Sequence, residues 1–267
     1  MTVFGPLLAG TLSRGHLPHY DCLRMGEQLL LLTHPVFVPI HSPLVGALTW
    51  QPSMGVLEAR GFPVVMPSLA GVLDEGPPYY PKLTARVAEV VRVARPRESL
   101  VLVGHSGAGA SLPSMAAACE GAAEAAVFVD AILPHPGASW FDTAPPGLRD
   151  QLRSLAANGR LPPWHQWFPP GALEALLPEP ELRSRFVAEL PRVPVAYFEE
   201  VAPPVADELL RHGYLQLSAA YADAANAAER RSWPTLRETA DHLAMLTRPE
   251  MVVDRLIQLV ERLAAAS

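Results

Sequence analysis

Val101-Leu-Val-Gly-His-Ser-Gly-Ala-Gly-Ala110 decides the fold. A short β-branched run ends at Gly104, one serine sits among small residues, and an Ala-rich helical segment follows. That order reads as a strand, a sharp turn and a helix, with Ser106 at the apex. A serine held there has its hydroxyl pushed clear of the sheet. The start of the following helix turns main-chain N–H groups toward any oxyanion formed beside it. Gly104, Gly107, Ala108 and Gly109 leave room for the turn, because larger side chains would collide with the strand or the helix. The pattern for such an elbow is Gly-x-Ser-x-Gly, and here the last position is Ala108, a conservative departure. A glycine-rich turn with an incidental serine is the bland alternative, and the strand–turn–helix context weighs against it.

The segments around the elbow alternate in type. Leu100–Val103 is the strand leading in, and Ala126–Val129 is the strand after the elbow helix. Val36–Ile40 reads as a buried strand in which Pro39 marks an end or a sheet edge. A helix is expected from Pro52 to Arg60, stopped by Gly61, and then a strand at Val64–Met66. Leu83, Val87, Val90, Val91 and Ala94 recur at helical spacing, as do Val252, Leu256, Leu259, Val260 and Leu263. Tyr214–Leu217 and Thr235–Leu236 read as strands and Ala222–Arg231 as a helix, and Leu29–Leu32 is a possible early strand. The alternation predicts an α/β fold, a mostly parallel central sheet flanked by helices on both faces. From Pro134 to about Arg211 prolines crowd in and aromatics concentrate. The expected organisation is a core of residues 1–133 and 213–267 with a helical cap at 134–212.

Composition narrows the function classes. The 267 residues, 49% hydrophobic, suffice for one large domain with a sizeable core. A net charge of −6 argues against nucleic acid as a partner. No apolar run approaches the roughly 20 residues that span a bilayer, and the N-terminus lacks a basic, apolar leader pattern. A cytoplasmic protein without a membrane partner is expected. Cys22 and Cys119 lie far apart and read as two buried thiols.

A serine near neutral pH needs a base to take its proton, and the base needs an acid to orient it. Among nine histidines, His242 is the best candidate base, because it falls between the last strand and the closing helix. Asp130 closes an apolar strand and therefore implies a buried carboxylate that needs a partner. Asp223, the competing acid, falls inside a helix, and Asp241 reads as surface. His16-Leu-Pro-His19-Tyr-Asp21 has a metal-like spacing, but no second cluster completes it. The Gly104–Gly109 turn lacks the length and the lysine of a phosphate loop. Neither a metal nor an organic cofactor is expected.

These motifs resemble the α/β-hydrolase superfamily from about Pro35 to the C-terminus, most strongly at Val103–Gly109 and His242–Thr247. His41-Ser-Pro-Leu-Val-Gly46, followed by Trp50, resembles the His-Gly loop after the third core strand of that superfamily. The resemblance implies an oxyanion hole with one N–H from this loop and another from Gly107. Here Ser42 replaces the family's glycine, and Pro43 has no N–H to give. Leu44 is the expected donor, with the Ser42 or His41 side chain as substitute. Some members carry the triad acid at the position of Asp130. The expected pocket is lined by His41, Ser42, Pro43, His105, Trp140, Trp164, Trp167 and Phe168, the aromatics roofing an apolar space for a small hydrophobic or acyl substrate. The expected function is serine-dependent cleavage of an ester, thioester or lactone. A lyase or cyclase on the same scaffold is the alternative, and a non-catalytic ligand receptor is a third reading.

Overall fold

The computed structural model describes residues 34–94, 99–204 and 210–265. Leu29–Leu32, Cys22 and the His16–Asp21 stretch lie outside the described residues.

Five parallel strands form one sheet in sequence order: β1 Val36–Ile40, β2 Leu100–His105, β3 Ala123–Val129, β4 Arg211–Gln216 and β5 Thr235–Arg237. Parallel strands need crossovers, and helices supply them. α1 (Gln51–Ala59) and α2 (Tyr79–Ala94) separate β1 from β2, and α3 (Leu112–Ala118) joins β2 to β3. Between β3 and β4 run five short helices: α4 (Trp140–Thr143), α5 (Pro146–Leu155), α6 (Ala172–Leu176), α7 (Pro180–Ala188) and α8 (Val195–Glu199). Then α9 (Ala222–Arg230) links β4 to β5, and α10 (Ala244–Thr247) leads into the closing helix α11 (Pro249–Ala265).

The two faces of the sheet follow the period-two alternation of its strands. Val36, Val38, Ile40, Leu100, Leu102, Ala126 and Phe128 pack against α2, α3 and α9. Phe37, Val101, Val103, Ala125, Val127, Val129 and Leu215 pack against α1 and α11. With both faces covered, β1, β2 and β3 are largely apolar, as a parallel sheet requires.

The expected strand at Val64–Met66 is reduced to a single parallel bridge between Phe37 and Val64. Phe37 N donates to Pro63 O and Val65 N donates to Phe37 O, each at 2.9 Å. The next donor on that side of β1 would be residue 39, and a proline has none. Pro39 thus ends the ladder at the sheet edge.

The segment between β3 and β4 shares the core of the sheet. Phe141, Leu152, Leu161, Trp167, Val193, Tyr197 and Phe198 are buried in the same cluster as β1, β2 and β3. Two of its glutamates bind main-chain N–H groups elsewhere in the fold. Glu200 accepts from Tyr79 N at 2.7 Å and Tyr80 N at 2.8 Å at the start of α2. Glu189 accepts from Leu48 N at 2.9 Å. Glu200 thereby meets otherwise unpaired N–H groups where the helix dipole favours negative charge. Among the described residues, no helix is long and apolar enough to cross a membrane.

Candidate active site

Parallel strands bring their C-terminal ends to one edge of the sheet, and the candidate nucleophile, acid, base and oxyanion loop all hang from that edge. The β1 end leads into His41–Leu44, β2 into Ser106, β3 into Asp130, and the loop after β5 carries His242. The loop after β4 adds Tyr221, which sequence reasoning missed.

Ser106 sits at φ 54°, a left-handed conformation that a serine adopts only when the surrounding fold enforces it. The enforcement is visible. Ile132 N donates to Ser106 O at 3.2 Å, fastening the turn to the chain beyond β3. Gly109 lies so close to that chain that a Cβ would overlap the Ile132 carbonyl. Asp130 also has positive φ, 42°, as the strand turns away from the sheet. The Tyr214 hydroxyl fixes the next peptide, donating to Ala131 O at 2.8 Å and accepting from Ala131 N at 3.1 Å.

Asp130 is fully buried and every lone pair has work. Oδ1 accepts from Leu217 N at 2.7 Å and Ser218 N at 3.0 Å. Oδ2 accepts from Ser218 Oγ at 2.5 Å and from His242 Nδ1 at 3.0 Å. A carboxylate on Nδ1 fixes that nitrogen as the N–H and leaves Nε2 of the neutral ring with its lone pair. Asp223 is exposed on α9 and does not meet His242.

The His242 ring is held by aromatics. Tyr221 stacks on it with centroids 4.9 Å apart and planes 4° from parallel, and the His105 ring lies at 4.5 Å. Ser106 Oγ lies 3.3 Å from the Tyr221 hydroxyl, and among the described residues no hydrogen bond joins it to His242. The serine therefore rests on the tyrosine and must turn to reach the imidazole. Burial, partly offset by the bond to Ser106, pushes the Tyr221 phenol up to about 12, so it stays a donor across the neutral range.

Four residues expected to line the pocket are not among those that border either cavity. His105 follows the parity of Val101 and Val103 and faces the α11 side of the sheet. Its Nε2 donates to His242 O at 3.0 Å, and burial, reinforced by the neighbouring His242, holds its pKa well below the ordinary histidine value. His41 is buried, Nδ1 donating to Ser42 O at 2.9 Å and Nε2 accepting from Leu69 N at 3.0 Å. Burial lowers its pKa too, against weaker opposing contacts. Ser42 and Pro43 are also buried, their Oγ and Cδ packed against Gly107. The Leu44 N–H, the expected second oxyanion donor, is engaged by Ser42 Oγ at 3.3 Å.

Two cavities meet over this edge. One, of about 430 Å³, has Ser106, Gly107 and Leu44 at its base and Trp167, Tyr197 and Phe198 in its walls. The other, of about 670 Å³, runs past His242 along Pro145, Leu173 and Leu176. Ile132, Trp140, Leu148, Trp164, Phe168 and Tyr221 border both. No lysine or arginine lines either cavity among the described residues.

A sheet of this topology with a strained serine elbow suggests relatives, and they exist. The model of the alpha/beta hydrolase family matches residues 32–255. No curated protein matches the chain. Among solved structures, an extracellular alpha/beta-hydrolase from a Paenibacillus species is 18% identical, with a TM-score of 0.68 over 84% of this chain and 98% of that one. A tomato methylketone synthase I variant complexed with β-ketoheptanoate is 13% identical, with a TM-score of 0.66 over 86% and 99%. A pyrethroid hydrolase from Sphingobium faniae is 17% identical, with a TM-score of 0.64 over 85% and 97%. Identities this low carry the fold alone. The family match extends over most of the chain, from before β1 into α11, and on that ground the protein belongs to the alpha/beta hydrolase family.

Proposed function

We propose that the protein is a serine hydrolase that cleaves a neutral ester, thioester or lactone with apolar groups on both sides of the scissile bond. Ser106 is the nucleophile, His242 the base and Asp130 the acid that orients it. The observation that carries the reading is the 3.0 Å contact of Asp130 Oδ2 with His242 Nδ1 beside a serine at φ 54°. An imidazole so oriented presents Nε2 to the serine proton. As Ser106 Oγ attacks, its proton passes to Nε2 and the carbonyl pair moves onto oxygen beside Gly107 N–H. On collapse the proton leaves with the departing alcohol or thiol, and water repeats the sequence to release the acid.

Residues 134–212 act as a cap whose aromatic face bounds the substrate. The cavity over Ser106 suits one arm and the cavity past His242 the other. With no lysine or arginine among their described walls, and Asp223 on one of them, they would bind carboxylates, phosphates and phosphopantetheine-type carriers poorly, because a buried anion without a partner is costly. Turnover of p-nitrophenyl butyrate and decanoate, but not of a succinate half-ester, is expected, with loss of at least about 10³-fold in Ser106→Ala. Retained turnover in Ser106→Ala would reject the reading.

A lyase or cyclase reaction, with Ser106 and His242 moving protons and no acyl-enzyme, is the second reading. Pro43, which supplies no N–H where the family's loop supplies one, favours it. Turnover of simple esters decides between the two.

A further inference from the structure

We propose that the Ser42 hydroxyl is the second donor of the oxyanion hole, in place of the main-chain N–H that Pro43 lacks. The proposal rests on the acyl-transfer reading above.

The oxyanion formed on Ser106 needs more than one donor, and Gly107 N–H supplies only the first. The loop after β1 is the other side of the hole, and several of its donors are already committed. Pro43 has none. Val45 N donates to Ser42 O at 3.1 Å. Leu44 N donates to Ser42 Oγ at 3.3 Å. Both ring nitrogens of His41 are occupied, by Ser42 O and Leu69 N. The hydrogen of Ser42 Oγ meets no acceptor among the described residues.

The hydroxyl is also in the right place. Ser42 Oγ stands 3.0 Å from where a Cβ on Gly107 would be, directly against the main chain that carries the first donor. Ser42 is 1% exposed, so its rotamer is fixed by packing before substrate arrives. The Leu44 N–H takes a lone pair of Oγ, which directs the hydroxyl hydrogen away from the loop and polarises the O–H bond. A donor held in advance costs no reorganisation at the moment of reaction. The chemistry balances without a new proton transfer. The Oγ–carbon bond forms at Ser106, the carbonyl pair moves onto oxygen, and the Ser106 proton goes to His242 Nε2. Ser42 keeps its proton and only shares it.

The test uses Ser42→Ala, the double variant Ser42→Ala/Pro43→Ala, and Ser106→Ala, with kcat, KM and melting temperature measured on p-nitrophenyl butyrate. Loss of one oxyanion donor should lower kcat by about 10²-fold in Ser42→Ala with KM within about threefold. Adding Pro43→Ala returns a main-chain N–H to the loop and should restore at least about tenfold of the loss, which a purely structural role for Ser42 would not give. Full kcat in a folded Ser42→Ala, or a loss that Pro43→Ala does not recover, overturns the proposal while an inactive Ser106→Ala leaves the triad standing. An active Ser106→Ala overturns the acyl-transfer reading and this proposal with it.

Discussion

Asp130→Asn keeps the shape of the side chain and changes one atom, and the hydrogen bonds around it dictate the result. Leu217 N and Ser218 N both point at Oδ1, at 2.7 and 3.0 Å. An amide NH₂ there would meet two donors, so the asparagine oxygen must take that position. Its NH₂ then faces Ser218 Oγ, which can turn to accept, and His242 Nδ1, which must offer a lone pair. The imidazole is forced into the tautomer with its proton on Nε2, aimed at Ser106, where it cannot accept the serine proton. The expected cost is about 10⁴-fold in kcat, or roughly 5.4 kcal/mol of barrier, with KM little changed. Loss of the charge-assisted bonds should cost about 1–3 kcal/mol of stability. Steady-state kinetics on p-nitrophenyl butyrate, with urea unfolding as the control for folding, measures both. A folded Asp130→Asn with kcat within about tenfold of the parent would refute the tautomer argument. Asp223→Asn, on the exposed face of α9, should be nearly silent in the same assay.

Tyr221→Phe keeps the ring stacked on His242 and removes the hydroxyl that holds Ser106, so phosphonate labelling of Ser106 should quicken by about 2- to 12-fold, matching a net hydrogen bond of about 0.5–1.5 kcal/mol; slower labelling would show that the phenol assists the attack. Trp164→Ala opens the wall between the two cavities and should lower kcat/KM for decanoate more than for butyrate, by about 1–3 kcal/mol, or 5- to 150-fold; an equal loss on both esters would make the ring structural. His41 and His105 fold with lowered pKa values, so below the unfolded value near 6.5 the unfolded chain binds protons that the folded one does not. Their stabilisation is complete above that value and is lost as pH falls toward the folded values, by up to about 1.4 kcal/mol per pH unit for each, and urea midpoints that stay flat from about pH 7 to 5 would contradict the assignment. Glu200→Ala removes the cap from the start of α2 and should cost about 0.5–2 kcal/mol in urea unfolding, whereas no change would show that Tyr79 N and Tyr80 N are satisfied otherwise.

The elbow and the sheet were legible because both rest on steric rules that act locally. Gly104 to Gly109 admit the turn, and apolar alternation on either side sets the strands. Asp130 was legible for a related reason: a carboxylate closing a buried apolar strand must have a partner, and His242 fell where one was needed. Strand parity could have moved His105 out of the pocket, since it continues the row of Val101 and Val103. Tyr221 gave no such signal. It lies in the run Ala219-Ala-Tyr-Ala222, and its role depends on how the loop after β4 curls once Leu217 and Ser218 bind Asp130. The aromatics between β3 and β4 divided in a way that spacing does not encode. Phe141 is buried in the core, Trp167, Tyr197 and Phe198 are core residues that also wall the cavity over Ser106, and Trp140, Trp164 and Phe168 face both cavities. Short helices broken by prolines carry too few turns for periodicity to show which face is inside.

The central claim is that Ser106 forms a covalent bond to the substrate carbonyl. Intact-protein mass spectrometry after incubation with an alkyl p-nitrophenyl phosphonate tests it without any knowledge of the natural substrate. The account predicts a single adduct, mapped to Ser106 by peptide sequencing, absent in Ser106→Ala and slowed in Asp130→Asn. Ester turnover with no adduct, or an adduct on another residue, would contradict it.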